Sequence, residues 1–233
     1  MLVGPSAGAV TDPVGDALIW PYPTTGKLFF LFHGESCSAS AFVVGPNLVM
    51  TAAHNLYGED PDDHRLYWSS NLSFIPAYRD GSCPYGVRPL TQQIVLQKWL
   101  DTNGDSDWDV GFGIVAGLGA TVGYMGLVFD QSPAQSGASW TALGYPDDAP
   151  FDGTRMWQST GSFTGDDPDG TLAKGMDSGI GVEGSSGGPW LLGLGGGWYA
   201  NGLNSYGHDD RPGIQYSPYF GAEVWSTYRE LMG

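Results

Sequence analysis

Gly184-Ser185-Ser186-Gly187-Gly188-Pro189 is the stretch of this sequence that constrains the fold most. Ser186 is flanked by glycines, and their missing side chains allow backbone N–H groups to approach a substrate carbonyl oxygen closely. A nucleophilic serine beside an oxyanion hole requires this arrangement. The same letters also fit the G-x-S-x-G elbow of α/β-hydrolases, and a glycine-rich turn without chemistry would look the same. Taken alone, the stretch leaves these three interpretations open.

A second motif, Thr51-Ala52-Ala53-His54, follows the short apolar strand predicted over residues 48–50. It places a histidine where a short helical turn leaves a strand. A lone histidine is usually an ordinary surface or core residue. His33, His64 and His208 lack such a setting, so His54 is the histidine that the sequence singles out.

A third motif, Asp109-Val110-Gly111-Phe112, puts an acid at the start of an apolar strand. A carboxylate buried beside an imidazole fixes its tautomer and stabilises the imidazolium that forms during attack. Asp101, Asp105 and Asp107 crowd the same loop, and all four acids could be solvated turn residues. Asp109 is preferred because a strand follows it directly, and a change of Asp107 to Asn is expected to be nearly silent.

Composition narrows the fold class and the partners. The 37 glycines and 16 prolines among 233 residues favour short strands joined by tight turns, hence an all-β fold. The formal net charge of −16 would repel nucleic acid and anionic membranes. No apolar stretch approaches the roughly 20 residues of a membrane-spanning helix. We expect a soluble protein with no nucleic-acid or membrane partner.

The three motifs, in the order His, Asp, Ser, together resemble the chymotrypsin-like serine peptidases. The resemblance is nearest to the bacterial V8-like branch, which is related to the glutamyl endopeptidases. It covers nearly all of the chain after an extended arm over residues 1–26. The further stretches that carry it are Cys37-Ser38-Ala39-Ser40, Gly144-Tyr145-Pro146, Pro189-Trp190-Leu191 and Ser217-Pro218-Tyr219-Phe220.

The resemblance implies two packed six-stranded β-barrels with a C-terminal helix. Residues 1–125 would form the N-terminal arm and the first barrel, and residues 126–233 the second barrel and the helix. The helix, predicted over 221–232, is expected to pack on the second half. Strands are predicted at 28–33, 39–44, 48–50, 73–77, 93–99, 110–115, 140–144, 156–163, 189–192, 198–203 and 215–219.

The function implied by the resemblance is that of a secreted, extracellular serine endopeptidase, monomeric and acting on proteins or peptides. Ser186 would form an acyl-enzyme, with His54 as general base and Asp109 orienting it. The N–H groups of Gly184 and Ser186 would form the oxyanion hole. No cofactor or metal is required, and the acidic run 101–107 lacks the glycine and the glutamate of a calcium loop.

Two other functions remain open. An esterase of the α/β-hydrolase class would need a histidine well downstream of Ser186, and only His208 follows. A catalytically silent relative could use the old cleft as a binding module. The complete set of His54, Asp109 and Ser186 argues against that second alternative.

Specificity is less constrained by the sequence. The alignment implied by the resemblance puts Ile180 at the base of the primary pocket and Asn204 where glutamyl endopeptidases carry a substrate-reading histidine. An apolar base favours a large apolar P1 residue, ahead of an acidic one that Asn204 could bind. A basic P1 ranks third and would require Asp177-Ser178 to form the base. The other implied pocket residues are Ser205, which would bind the triad aspartate, Tyr206 and Gly207 as one wall, and Gly213.

Besides Asn204, the chain departs from the family at two positions. Ser185 stands where trypsin relatives carry an aspartate that pairs with a new N-terminus, so activation by that ion pair is not expected. Asn55 replaces the usual cysteine after the histidine, which removes the common partner of Cys37. The resemblance therefore implies a disulfide between Cys37 and Cys83, the two cysteines of the chain.

Overall fold

The computed structural model describes residues 8–131 and 139–233. Most of the regular structure in these residues is β-strand. The elements of the first half are β1 (Val10–Pro13), β2 (Thr25–Phe32), β3 (Glu35–Gly45), β4 (Leu48–Thr51), β5 (Tyr57–Glu59), β6 (Leu66–Trp68), β7 (Ser70–Pro76), β8 (Arg88–Pro89), β9 (Gln92–Val95), α1 (Gln97–Asp101), β10 (Gly111–Ile114) and α2 (Leu118–Val122). The elements of the second half are β11 (Gly126–Leu127), β12 (Ser139–Gly144), β13 (Trp157–Asp166), β14 (Lys174–Asp177), β15 (Pro189–Leu194), β16 (Gly197–Leu203), β17 (Ile214–Ser217) and α3 (Ala222–Met232).

The first sheet has the order β8-β7-β2-β3-β4-β10-β9. Its hairpin between β2 and β3 turns at His33 and Gly34, whose positive φ angles of 49° and 85° match the twist of the flanking strands. Phe42, Met50 and Phe112 lie opposite one another on adjacent strands and are fully buried. The core of this half is therefore a ladder of apolar side chains across three strands.

The second sheet has the order β11-β16-β15-β12-β13-β14-β17, and β1 pairs with β13. Its interior contains Trp140 and Trp190, whose ring centroids lie 5.2 Å apart. Both tryptophans are buried, together with Met176 and Ile180. Aromatic pairs at this separation stabilise a core beyond their buried area.

These two curled sheets confirm the predicted all-β, two-barrel class. Within the described residues the sheets contain seven and eight strands rather than six, because short edge strands and β1 add to them. Most predicted strands are present. The strand predicted over 93–99 is wrong in its second half, where α1 begins at Gln97, and β14 was not predicted because its sequence KGMD has no apolar alternation.

Strand β1 and helix α3 each contact the opposite half of the molecule. Strand β1 of the arm joins the second sheet. Helix α3 forms as predicted, but its Tyr228 hydroxyl donates to the carbonyl oxygen of Val44 on β3 (3.0 Å). Val44 belongs to the first sheet, so α3, which was expected to pack on the second half, contacts the first half as well as Phe129 of the second. The rings of Phe129 and Trp225 pack against the ring of Tyr228.

The expected disulfide between Cys37 and Cys83 is not formed, and both cysteines are free. Cys37 on β3 lies opposite Phe30 near one end of β2. Cys83 follows β7, whose residue Pro76 lies opposite Gly26 near the other end of β2. The Cys37 thiol donates to the carbonyl oxygen of Glu35 (3.8 Å) and the Cys83 thiol to that of Gly81 (3.7 Å), so each sulfur contacts its own loop rather than the other sulfur.

No helix among residues 8–131 and 139–233 is both long enough and apolar enough to cross a bilayer.

Candidate active site

His54 lies in a 3₁₀ turn at the end of the buried strand β4. The next residue, Asn55, holds this turn in place: its side-chain amide donates to Thr51 Oγ1 (3.0 Å) and to the carbonyl oxygen of Ser186 (3.1 Å). Asn55 therefore links the histidine turn to the serine turn directly. The sequence marked it as a departure from the family but gave no signal of this contact.

Asp109 is the acid that the structure places beside His54. The protonated Nδ1 of His54 donates to Asp109 Oδ2 (2.7 Å), and the His54 backbone N–H donates to Oδ1 (2.8 Å). The Ser205 hydroxyl also donates to Oδ2 (2.5 Å). With three donors on a buried carboxylate, the His54 ring has one orientation and presents its Nε2 as the free acceptor.

The electrostatics of the pair follow from this geometry. Burial by itself would lower the pKa of His54, but the charge of Asp109, its hydrogen bond and the more distant Glu183 raise the pKa above the ordinary histidine value. Burial would raise the pKa of Asp109, but the charge of His54 and the hydrogen bonds from His54 and Ser205 lower it. Asp109 therefore stays ionised while His54 exchanges its proton.

Ser186 lies in the turn between β14 and β15, and the residue is 9% exposed. Its carbonyl oxygen accepts from the N–H of Ser40 (2.9 Å), which fastens the turn to β3. Gly184 has a φ of +70°, and a Cβ there would lie 2.4 Å from the carbonyl oxygen of Tyr145. The glycine at this position is required by both the backbone conformation and the close packing.

The serine hydroxyl and its own N–H are both engaged with one carbonyl oxygen. Ser186 Oγ donates to the oxygen of Val182 (3.0 Å), and the Ser186 N–H donates to the same oxygen (2.9 Å). None of the hydrogen bonds found in the described residues joins Ser186 Oγ to the His54 ring. In this conformation the Ser186 N–H is not available to a substrate oxyanion.

Two residues expected in the primary pocket lie in the core. Ile180 is fully buried in the cluster that contains Met176 and Trp190. Asn204 is also fully buried: its Oδ1 accepts from Trp190 Nε1 (2.8 Å), and its Nδ2 donates to the carbonyl oxygens of Leu143 and Ser185 (2.9 Å each). Both amide protons of Asn204 are donated within the protein, which leaves none for an acidic P1 side chain in this conformation.

The other pocket residues lie on the segment that follows the core. Ser205 contacts Asp109, and the ring of Tyr206 stacks on Tyr216 at 5.3 Å. Gly207 follows Tyr206 on the same segment and is exposed. Gly213, with a φ of +83°, accepts at its carbonyl oxygen from the N–H of Ser178 (2.8 Å). The structure thus brings Ser205 and Tyr206 to the triad side.

Asp107 differs from the solvated turn acid that the sequence suggested. The residue is 5% exposed, and its carboxylate accepts hydrogen bonds from the backbone N–H groups of residues 171–173. The expectation that its replacement is nearly silent therefore loses its physical basis. Sequence adjacency gave no signal, because the partners lie more than sixty residues away along the chain.

A group of potential metal ligands, Asp167, Asp169 and His208, lies on the same side, with ligand atoms within 4.8 Å of one another. Its members are already paired with each other and with the protein. Asp167 accepts from His208 Nε2 (2.9 Å), from the Asp169 N–H (3.1 Å) and from the Tyr206 hydroxyl (2.6 Å). The group is a hydrogen-bond network in its own right.

The comparisons with known proteins find proteases of similar structure. Protease Anisep from Arthrobacter nicotinovorans shares 28% identity at a TM-score of 0.81, over 95% of this chain and 98% of that one. The thermostable serine protease AL20 from an extremophilic microorganism shares 31% identity at a TM-score of 0.78, over 90% and 97%. A Glu endopeptidase superposes with a TM-score of 0.77 over 99% of both chains at 20% identity, which speaks for the fold alone.

Among curated proteins, the chain is 31% identical over 144 residues to the extracellular metalloprotease of Bacillus subtilis (strain 168). That match spans 60% of this chain and 44% of the relative, so the chain accounts for less than half of the relative's length. No family model matches the chain.

Proposed function

Because this chain belongs to the chymotrypsin-like serine peptidases, near their V8-like branch, we propose that it is an endopeptidase with Ser186 as nucleophile. His54 acts as general base and Asp109 orients it. The observation that carries the proposal is the 2.7 Å hydrogen bond from His54 Nδ1 to the buried Asp109, in the same site as Ser186. That bond leaves Nε2 unprotonated and able to accept the serine proton.

The reaction follows from these roles. His54 Nε2 removes the proton of Ser186 Oγ as the oxygen attacks the scissile carbonyl carbon, and an acyl-enzyme forms while His54 protonates the leaving amine. Water then hydrolyses the acyl-enzyme with the same base. Each step uses side chains of this protein and needs no cofactor.

The oxyanion hole forms when the Val182 carbonyl oxygen moves away from Ser186. Its departure frees the Ser186 N–H, which with the Gly184 N–H stabilises the tetrahedral oxyanion. It also frees Ser186 Oγ to reach His54. Each such donor lowers a reaction barrier by about 3 kcal/mol, so this rearrangement is coupled to catalysis.

For specificity, we propose a large apolar or aromatic P1 residue. The internal hydrogen bonds of Asn204 leave it no proton for an acidic P1 side chain, which weakens that second choice. A basic P1 ranks third, since Asp177 already accepts from the Ser162 N–H. Cleavage of matched peptides with Phe, Leu, Glu or Arg at P1 tests this order, and a clear preference for Glu or Arg contradicts it.

Secretion, a monomeric state, a boundary near residue 125 between the two barrels, and action on protein or peptide substrates complete the proposal. The formal charge of −16 supports it, because such a charge keeps an exported protein soluble. The same charge argues against nucleic acid or an anionic membrane as a partner.

The decisive test is Ser186→Ala. We expect it to abolish peptide hydrolysis and labelling by a fluorophosphonate while the melting temperature stays within a few degrees of the wild type, because a single hydroxyl is removed. Ser185→Ala is the matched control and should retain labelling. Hydrolysis at the wild-type rate in Ser186→Ala would disprove the mechanism. A wild-type protein that binds peptides without cleaving them would favour the silent binding module.

A further inference from the structure

Asp107 is a buried carboxylate that the proposed reaction does not use. It lies in the 3₁₀ turn 106–108, two residues before Asp109. Its two oxygens accept four hydrogen bonds from the second half of the chain. Thr171 donates through its hydroxyl and through its N–H (2.9 Å). The N–H groups of Leu172 and Ala173 are the other two donors (3.0 Å each). Four donors on one carboxylate make this a strong attachment between two loops.

The loop that Asp107 holds carries a second buried carboxylate, Asp167. Its backbone N–H donates to the carbonyl oxygen of Ala173 (3.0 Å), so both ends of the loop 167–173 are tied together. The Asp167 side chain accepts from the Tyr206 hydroxyl (2.6 Å) and from His208 Nε2 (2.9 Å). The loop therefore holds the segment 206–208.

The residue before this segment, Ser205, attaches it to the proposed triad, because the Ser205 hydroxyl donates to Asp109. Asp107 and Asp109 lie at one turn of the first half, and each is connected to the segment 205–208 by hydrogen bonds. Asp109 reaches it directly, and Asp107 reaches it through the loop 167–173 and Asp167. The two attachments fix the distance and tilt of Tyr206 relative to His54.

We propose that Asp107 is a positioning residue, which acts through the loop 167–173 and Asp167 to hold Tyr206 where the substrate chain binds. This inference rests on the proposed function and on the place of Tyr206 in a wall of the primary pocket, which the family resemblance implies. It assigns to Asp107 an effect on substrate binding and none on the nucleophile, because none of the Asp107 hydrogen bonds reaches His54 or Ser186.

The change Asp107→Asn tests the proposal. Burial raises the pKa of Asp107, but the hydrogen bonds from Thr171, Leu172 and Ala173 outweigh it and lower the pKa, so the wild-type group is an anion. An asparagine keeps one acceptor oxygen and turns an NH₂ group toward donors. We expect KM for a peptide that extends several residues before the scissile bond to rise about tenfold. The rate of Ser186 labelling by a small fluorophosphonate and the pH midpoint of kcat/KM should stay at their wild-type values.

Two further variants make the test specific. Thr171→Val removes only the hydroxyl donor and should raise KM about threefold. Asp101→Asn loses the same charge from an exposed residue outside this network, so it should leave KM unchanged. Thr171→Val decides the question by the same criteria if Asp107→Asn does not fold.

The outcomes separate the inference from the function on which it rests. A wild-type KM in both Asp107→Asn and Thr171→Val overturns the inference. An equal loss of labelling rate and of peptide turnover also overturns it, because the triad itself would then have moved. A wild-type protein that fluorophosphonate does not label at Ser186 overturns the proposed function instead.

Discussion

At the scale of single residues, the charges of the candidate site compensate one another in a small volume. Asp109 is buried yet ionised, since three donors surround it. Burial alone would lower the pKa of His54, but the charge and the hydrogen bond of Asp109 raise it above the ordinary value. The balance between burial and charge, rather than either alone, sets the pH range in which the base is free.

The exposed Glu183 contributes to that balance, which gives a pH prediction. Its negative charge raises the pKa of His54, so Glu183→Gln should lower that pKa and move the rise of kcat/KM to lower pH. The profile should be measured at low ionic strength, where surface charges act most strongly. Glu223→Gln on α3 is the control and should leave the midpoint unchanged. A shift toward higher pH would contradict the assignment of His54 as the base.

The residues of the triad could be predicted because each follows a local pattern: a histidine after an apolar strand, an acid before one, a serine among glycines. Asp107 and Asn55 could not. Their roles depend on contacts with Thr171 and Ser186, which the sequence does not place near them. A carboxylate in an acidic loop looks solvated until the partner loop is known.

At the scale of elements, the residue pattern within each segment explains most of the strands, but it does not explain which elements pack against them. Short apolar runs bounded by Gly, Pro or Asn were enough to predict β3, β4 and β15. The stretch Gln97–Asp101 is a helix although the apolar residues before it continue a strand pattern, and polar β14 pairs between β13 and β17 without an apolar signal of its own. Tertiary pairing decides such cases over intrinsic preference.

Helix α3 supplies the prediction at this scale. Tyr228→Phe removes the hydroxyl that donates to the Val44 carbonyl, which costs about 1 kcal/mol and should lower the melting temperature by about 2–4 °C. The fluorophosphonate labelling rate should not change, because the Tyr228 side chain contacts Val44 and Phe129 rather than a triad residue. Tyr124→Phe, at a side chain about half exposed, is the control. An unchanged melting temperature in Tyr228→Phe would mean that this contact does not stabilise the fold.

At the scale of the whole molecule, stability comes from the apolar cores and hydrogen-bonded loops, without a covalent cross-link between Cys37 and Cys83. A disulfide at these positions would contribute about 3–4 kcal/mol. We therefore expect dithiothreitol to leave the melting temperature unchanged within about 1 °C. Alkylation of both thiols in the native protein's non-reduced digest checks the same point. A marked fall in melting temperature under reduction would show that the bridge forms after all.

The class of the fold and the order of the strands along each half follow from sequence patterns, but the exchange of chain ends between halves does not. Strand β1 pairs with β13 of the second sheet, and α3 packs against Val44 of the first sheet. Each of these elements therefore has its partner in the opposite half. Such matches depend on the finished shapes of both halves. The sequences of β1 and α3 do not by themselves indicate these contacts.

The position of α3 also determines when this protein can finish folding. A ribosome adds about 5–20 residues per second, so α3 is made about 10–35 s after the strand whose residue Val44 it covers. During that time the apolar residues near Val44, which α3 packs against in the finished protein, are uncovered on the growing chain. Folding of the first half is therefore completed only after translation has passed α3, and the nascent chain offers a binding site to chaperones until then.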